Sequence, residues 1–209
     1  VDKAIVAQCQ ARITTDITLD AITLFVLAKL AGHRAAMVGV LEDIAGQFSR
    51  HQGHAAGIGL VETQLLGETL RHAPGSRLGQ TARESPVWLV HTDAAPLAAR
   101  QGWSATGARL IAVPSDGGHV DLRAAMQALA AEGLTRIFCE GGADLAAALI
   151  RAGLVDELAQ FSAGALIGAE GRAALGPLGC AALADAPRLT LLSATPVGAD
   201  VLTRWSFPG

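Results

Sequence analysis

The stretch TRIFCEGGADLAAALIRAG, Thr135 to Gly153, decides how the chain is to be read. Arg136 to Cys139 is a short run with a β-branched and an aromatic residue, the composition of a strand. Beyond it Leu145, Ala148, Leu149 and Ala152 recur at the spacing of one helix face, and Gly153 supplies the stop. Between the two stand Glu140, Gly141 and Gly142. A strand that turns sharply into a helix leaves the first helical N–H groups without intrahelical partners, facing the crevice at the sheet's edge, where an anion fits. Glycine lets backbone come close to a phosphate where a Cβ would collide. A tight turn that needs positive φ asks for glycine just as well. Asp144 in the first helical turn favours the helix and repels a phosphate. Both readings of the corner stand on these residues alone.

Outward from this corner the same alternation continues. Lys3–Gln8 reads as a strand, Asp20–Gly32 as a helix with Leu24, Leu27 and Ala31 on one face, and Ala35–Leu41 as a buried strand. Gly57–Glu62 and Pro86–His91 are two more strands, separated by a Gly/Pro-punctuated stretch, Leu66–Ser85, that reads as loop. Then follow strand Arg109–Val113, helix Asp121–Glu132 with Leu122, Met126 and Leu129 inward, the opening strand and helix, and strand Val155–Phe161. Alternation of this kind implies βαβ units and a parallel sheet. RLTLLSA and ADVLTRWSF, on either side of a Pro-Val-Gly turn, read as an antiparallel hairpin closing one edge. The expected fold is α/β, a mostly parallel central sheet with flanking helices and a C-terminal antiparallel hairpin. No repeat or linker divides the chain, so residues 1–209 are expected to form a single domain.

Composition narrows the function classes. A net charge of −3 with no Lys/Arg cluster lacks the footprint of a nucleic-acid binder. The longest apolar stretch, AITLFVLAKLAG, carries Lys29 and is shorter than a membrane span, and no leader precedes it, so the chain is expected to be cytoplasmic with no membrane partner. Cys9, Cys139 and Cys180 lie far apart without a C-x-x-C pair and read as buried free thiols. His51 and His54 in RHQGH have no acidic or cysteine partner at ligand spacing, so no metal site is assigned. PSDGGHVD reads as a plain βα loop ahead of an aspartate N-cap, Ser162 and Ser193 lack a G-x-S-x-G setting, and Trp88, Trp103 and Trp205 read as core or interface.

Several words of the sequence resemble a known family. They run from APGSRL (Ala73–Leu78) and ARESPVWLVHT (Ala82–Thr92) through Gly117–Gly168 to GADVLTRWSF (Gly198–Phe207). Most specific are EGG-x-x-L-x-x-x-L at Glu140–Leu149 and GLVDEL at Gly153–Leu158. Together they resemble the reductase domain of riboflavin biosynthesis, the 5-amino-6-(5-phosphoribosylamino)uracil reductases. That resemblance implies a dihydrofolate-reductase-like fold, use of NADPH to reduce the ribosyl group of a phosphoribosylaminouracil to ribityl, a phosphorylated small-molecule substrate, and a homodimer. It implies that Gly141 and Gly142 face the cofactor and that Glu140 lies toward the substrate.

The first third is similar in outline only. AIVAQCQARITT stands where the family has a strand and a SLDGRIAT-type loop, so that Arg12, Ile13 and Thr14 match, and Thr14 is a possible hydroxyl contact for the cofactor. GHRAAMVGVLEDIAG stands where the family has GxGTxxxDxP. Gly39 matches as a close approach to the cofactor, while Leu41 replaces the second glycine and Glu42 the threonine. Arg50 corresponds to a phosphate-binding arginine on the substrate side. A glutamate near bound phosphates is unfavourable, so a diverged, non-catalytic member that keeps the fold is the alternative reading. No residue is assigned to catalysis. H-x-E with P-C-x-x-C is absent, so the deamination of the resembled pathway is expected to be done elsewhere.

Overall fold

The computed structural model describes residues 21–27, 57–59, 73–84, 87–134, 136–139, 142–166, 171 and 173–208. In chain order the strands are β1 (Ala21–Leu27), β2 (Gly57–Gly59), β3 (Val87–His91), β4 (Arg109–Ala112), β5 (Ser115–Asp116), β6 (His119–Val120), β7 (Arg136–Cys139), β8 (Glu157–Ala163), β9 (Thr190–Val197) and β10 (Asp200–Ser206). The α-helices are α1 (Arg77–Gln80), α2 (Leu97–Thr106), α3 (Leu122–Ala131) and α4 (Ala143–Arg151). The chain falls into two compact units, one drawn from 1–48 and 133–209 and the other from 49–132.

The first unit is built on a five-stranded sheet in the order β7-β1-β8-β10-β9. Strand β1 runs parallel to both neighbours, with Leu24 opposite Cys139 of β7 and Leu158 of β8. Over Ala21–Leu27 this corrects the helix expected at Asp20–Gly32, of which Asp20 and residues 28–32 lie outside the described residues. A nearly unbroken apolar run satisfies the i, i+3, i+4 spacing whatever its structure, so the spacing of Leu24, Leu27 and Ala31 carried no information. Ile22, Thr23, Phe25 and Val26 are β-branched or aromatic, and seven residues without a polar face suit a strand held between two parallel partners. Ile137, Leu158, Ala159 and Phe161 are buried, as are Leu145, Ala146, Ala147 and Leu149 of α4. Ala148 and Ala152, expected on the inward face, are half-buried instead.

The C-terminal hairpin has the expected place and sense. Strand β10 pairs antiparallel with β8 and with β9, and β9 is the last strand of the sheet. The strands run on through Val197, so the turn is Gly198–Ala199. Leu202 is buried, but Leu191, Leu192 and Val201 are exposed. An ion pair between Arg204 and Glu157 ties β10 to β8.

In the second unit β2, β3 and β4 form a parallel sheet, with Trp88 opposite Ile58 and Arg109. Ala82, Val87, Leu89, Trp103 and Ala108 make one buried cluster, against which Leu78 and Leu110 pack. Trp103 is therefore core, whereas Trp88 is half-buried beneath the Arg109 guanidinium, 5.3 Å from its ring centre. Arg109 also reaches Glu132 at 2.5 Å. The loop expected at Leu66–Ser85 contains α1, a single turn. PSDGGHVD is not a plain loop: β5 and β6 pair across Gly117 and Gly118, both at positive φ, as a two-residue hairpin turn requires. Cys139 is buried as expected, but Cys180 is exposed.

Candidate functional site

The corner of Glu140, Gly141 and Gly142 follows Cys139 at the carboxyl end of β7, the end at which ligands bind in sheets of parallel strands. Gly142 is the N-cap of α4. Its φ of −70° and ψ of 174° are ordinary extended backbone, open to any residue. The requirement for positive φ therefore does not account for this glycine. Crowding does not account for it either: a Cβ built on Gly142 meets nothing within 4 Å among the described residues. Neither its own dihedrals nor any described neighbour therefore demands a glycine here.

The helix behind the corner is well anchored. Its far end closes with Gly153 at φ 64°, the Gly153 N–H donating to Ile150 O at 3.0 Å and the Leu154 N–H to Leu149 O at 3.1 Å. This pair of bonds is the Schellman arrangement that ends helices at glycine. At the near end the Ala146 N–H donates to Gly142 O at 3.0 Å, while no side chain caps the start. Among the described residues no side chain takes up the first-turn N–H groups, which carry the positive end of the helix dipole. Asp144 lies in that turn and is exposed.

Of the other residues expected at the site, Glu140, Gly141, Gly39, Thr14 and Arg50 lie outside the described residues, as do His51, His54, Leu41 and Glu42. No group of three or more potential metal ligands occurs among the described residues, and no described helix is long and apolar enough to cross a membrane. The sequence reading passed over one polar pair, His91 and Thr92, at the carboxyl end of β3 in the second unit. They are the buried polar residues among those described. His91 Nδ1 donates to the Thr92 carbonyl at 3.0 Å, and the His91 carbonyl accepts from the Val113 N–H at 2.9 Å. The signal available was HT at the end of a predicted parallel strand, which sets polar groups where the sheet opens.

A mixed α/β chain whose glycine corner follows a parallel strand, with an antiparallel hairpin at the sheet's edge, is that of a dihydrofolate-reductase-like domain. The model of the RibD C-terminal domain matches residues 63–203, and the chain belongs to that family, the family of riboflavin-biosynthesis reductases. Over 93 residues it is 39% identical to the riboflavin biosynthesis protein RibD of Escherichia coli K12; the match takes in 44% of this chain and only a quarter of RibD. The fold is shared with RibD of Acinetobacter baumannii (TM-score 0.63, 16% identity, 95% of this chain and 60% of that one). It is shared too with the riboflavin biosynthesis reductase Rib7 of Saccharomyces cerevisiae (TM-score 0.59, 18% identity, 94% and 91%). A pyrimidine reductase-like protein of Corynebacterium diphtheriae is similar as well (TM-score 0.62, 16% identity, 90% and 92%).

Proposed function

We propose that the chain is an NADPH-dependent reductase of the riboflavin-biosynthesis type, which reduces the ribosyl group of a phosphoribosylaminouracil to ribityl. Membership of the RibD C-terminal domain family supports this reading. The observation that carries it is the start of α4: the helix begins on Gly142, which has no side chain to cap it and which neither its φ nor any described neighbour requires to be glycine.

The residues at this corner fit the phosphates of a dinucleotide. First-turn N–H groups are donors for an anion, and Gly141 and Gly142 keep side chains out of its way. Gly39 would give the cofactor a second close approach and Thr14 a hydroxyl, while Glu140 and Arg50 would hold the substrate's sugar hydroxyls and phosphate. NADPH, when bound, supplies the hydride. The chain's part is to bind and orient, which fixes the geometry of the reacting groups and asks for few conspicuous side chains. The homodimer is proposed from the family resemblance alone. A cytoplasmic location agrees with this small-molecule chemistry.

The test is a titration with NADPH, followed by tryptophan fluorescence and thermal shift, on the wild type and on Gly142→Asp. An aspartate at this φ and ψ caps the helix itself, so the variant keeps its melting temperature while its carboxylate takes the N–H groups and repels phosphate. Saturable binding by the wild type, weakened roughly thirtyfold in the variant, is expected. Absence of wild-type binding at millimolar NADPH, or equal binding by both proteins, overturns the reading. Leu41 and Glu42, where the family has glycine and threonine, favour a second reading, a non-catalytic member that keeps nucleotide binding. Loss of NADPH absorbance on adding the phosphoribosylaminouracil separates the two.

A further inference from the structure

The chain between β8 and β9 returns across the first turn of α4. The Gly176 N–H donates to Ala143 O at 2.9 Å, and the Arg151 guanidinium donates to the next carbonyl, Pro177 O, at 2.5 Å. A short strap is thereby fastened to the helix by its backbone. Gly176 has no positive φ, so its dihedrals do not call for glycine. Its surroundings do: a Cβ there would lie 2.8 Å from Asp144 Oδ1, 3.2 Å from Ala143 O and 3.3 Å from Asp144 Cα. The two backbone contacts give way by a few tenths of an ångström, but the carboxylate has to move. Gly176 is thus the place where the Asp144 carboxylate rests, against the strap.

That resting place has an electrostatic consequence. Asp144 is the acidic residue of the helix's first turn, and a carboxylate there competes directly with a bound phosphate for the positive end of the helix. We propose that Gly176 is a positioning residue for the cofactor corner: by leaving space for the Asp144 carboxylate against the strap, it keeps that charge off the first-turn N–H groups. The inference rests on the reading of this corner as a phosphate site.

The experiment compares wild type, Gly176→Ala, Asp144→Asn, and Gly176→Ala combined with Asp144→Asn, each titrated with NADPH and, separately, with inorganic pyrophosphate. In Gly176→Ala the displaced carboxylate weakens binding about threefold, the effect of moving one charge from ~8 Å to ~6 Å from a phosphate at an effective dielectric of ~20. The loss shrinks as salt is raised. The asparagine side chain introduced by Asp144→Asn has the shape of aspartate and crowds the new methyl just as much, yet carries no charge, so the double variant binds within about twofold of wild type. Asp144→Asn alone, with Gly176 kept, is expected to change binding by less than the rescue does; a gain as large as the rescue makes it a plain charge effect and overturns the proposal. Binding by Gly176→Ala that equals wild type, or a double variant no better than the single one, overturns the proposal. If wild type binds pyrophosphate but not NADPH, the dinucleotide reading falls and the variants decide the strap on pyrophosphate. If it binds neither, both fall.

Discussion

Helices α3 and α4 have ten and nine residues, each follows a strand, and each buries four side chains. At α3 the Asp121 carboxylate accepts from the Ala124 N–H at 3.0 Å, so the helix is closed by its own sequence. At α4 the equivalent position is Gly142, which has no side chain to offer. An aspartate in place of Gly142 would have stabilised the helix, since no described residue crowds the position and the backbone is already in an N-cap conformation. At one helix the N-cap residue closes the start and at the other it cannot, although the backbone at both positions suits the stabilising residue. The end begun by glycine is the one that carries Glu140, Gly141 and Gly142, inside the residues matched by the RibD C-terminal domain family.

The largest effects should show how alike the two helices are in packing. Leu129 of α3 and Leu149 of α4 are 0% and 1% exposed. Leu129→Ala and Leu149→Ala are each expected to cost about 3 kcal/mol of unfolding free energy in urea, by lost burial and the cavity left behind. A cost below about 1 kcal/mol at either would mean that the helix is not anchored as the structure has it. Next comes Gly142→Asp, expected to weaken NADPH binding by about 2 kcal/mol, roughly thirtyfold, because it removes charge-assisted donors and adds a like charge. An unchanged dissociation constant, with the fold intact by circular dichroism, would break the comparison at its centre.

How far all this was legible follows from the kind of signal each segment carries. The strand, corner and helix at Arg136–Gly153 were readable because a β-like run, two glycines and a 3.6-residue spacing stand in sharp succession. Asp121 announced a helix start by its chemistry alone, and its carboxylate does cap α3. Strand β1 was misread because an almost wholly apolar run has no polar residues to mark its period. Helix α2 was passed over although Pro96 precedes it and Gly107, at φ 93°, ends it: Trp103 is its one fully buried residue, so it shows little apolar stripe. At the site, the importance of Gly142 could be read, but only its observed φ removed the turn explanation. Gly176 could not be read at all, because its meaning lies in two residues more than thirty positions away that the fold brings against it.

Smaller effects test the closed helix. Asp121→Ala removes the cap without replacing it and is expected to cost about 1 kcal/mol, seen as a lower melting temperature, with NADPH affinity unchanged. A simultaneous loss of affinity would mean that the start of α3 also serves the cofactor.

The smallest expected effect is the most discriminating. Asp121→Gly gives α3 the start that α4 has: a glycine N-cap with no side chain to take the first-turn N–H groups, and the same dipole. Because glycine exposes those groups to water, the expected cost is only a few tenths of a kcal/mol. If uncapped N–H groups alone made a phosphate site, this variant would gain a second one. The expectation is that it does not, and that titration calorimetry returns the same stoichiometry as the wild type. Helix ends are common and weak in isolation, and the dipole contributes well under 2 kcal/mol at an exposed terminus. What α4 has in addition is a second glycine before the cap, a position at the end of a strand in a parallel sheet, and a strap against which its acidic side chain can rest. A doubled stoichiometry would remove the special standing of the α4 corner, and with it the reason for placing the cofactor there.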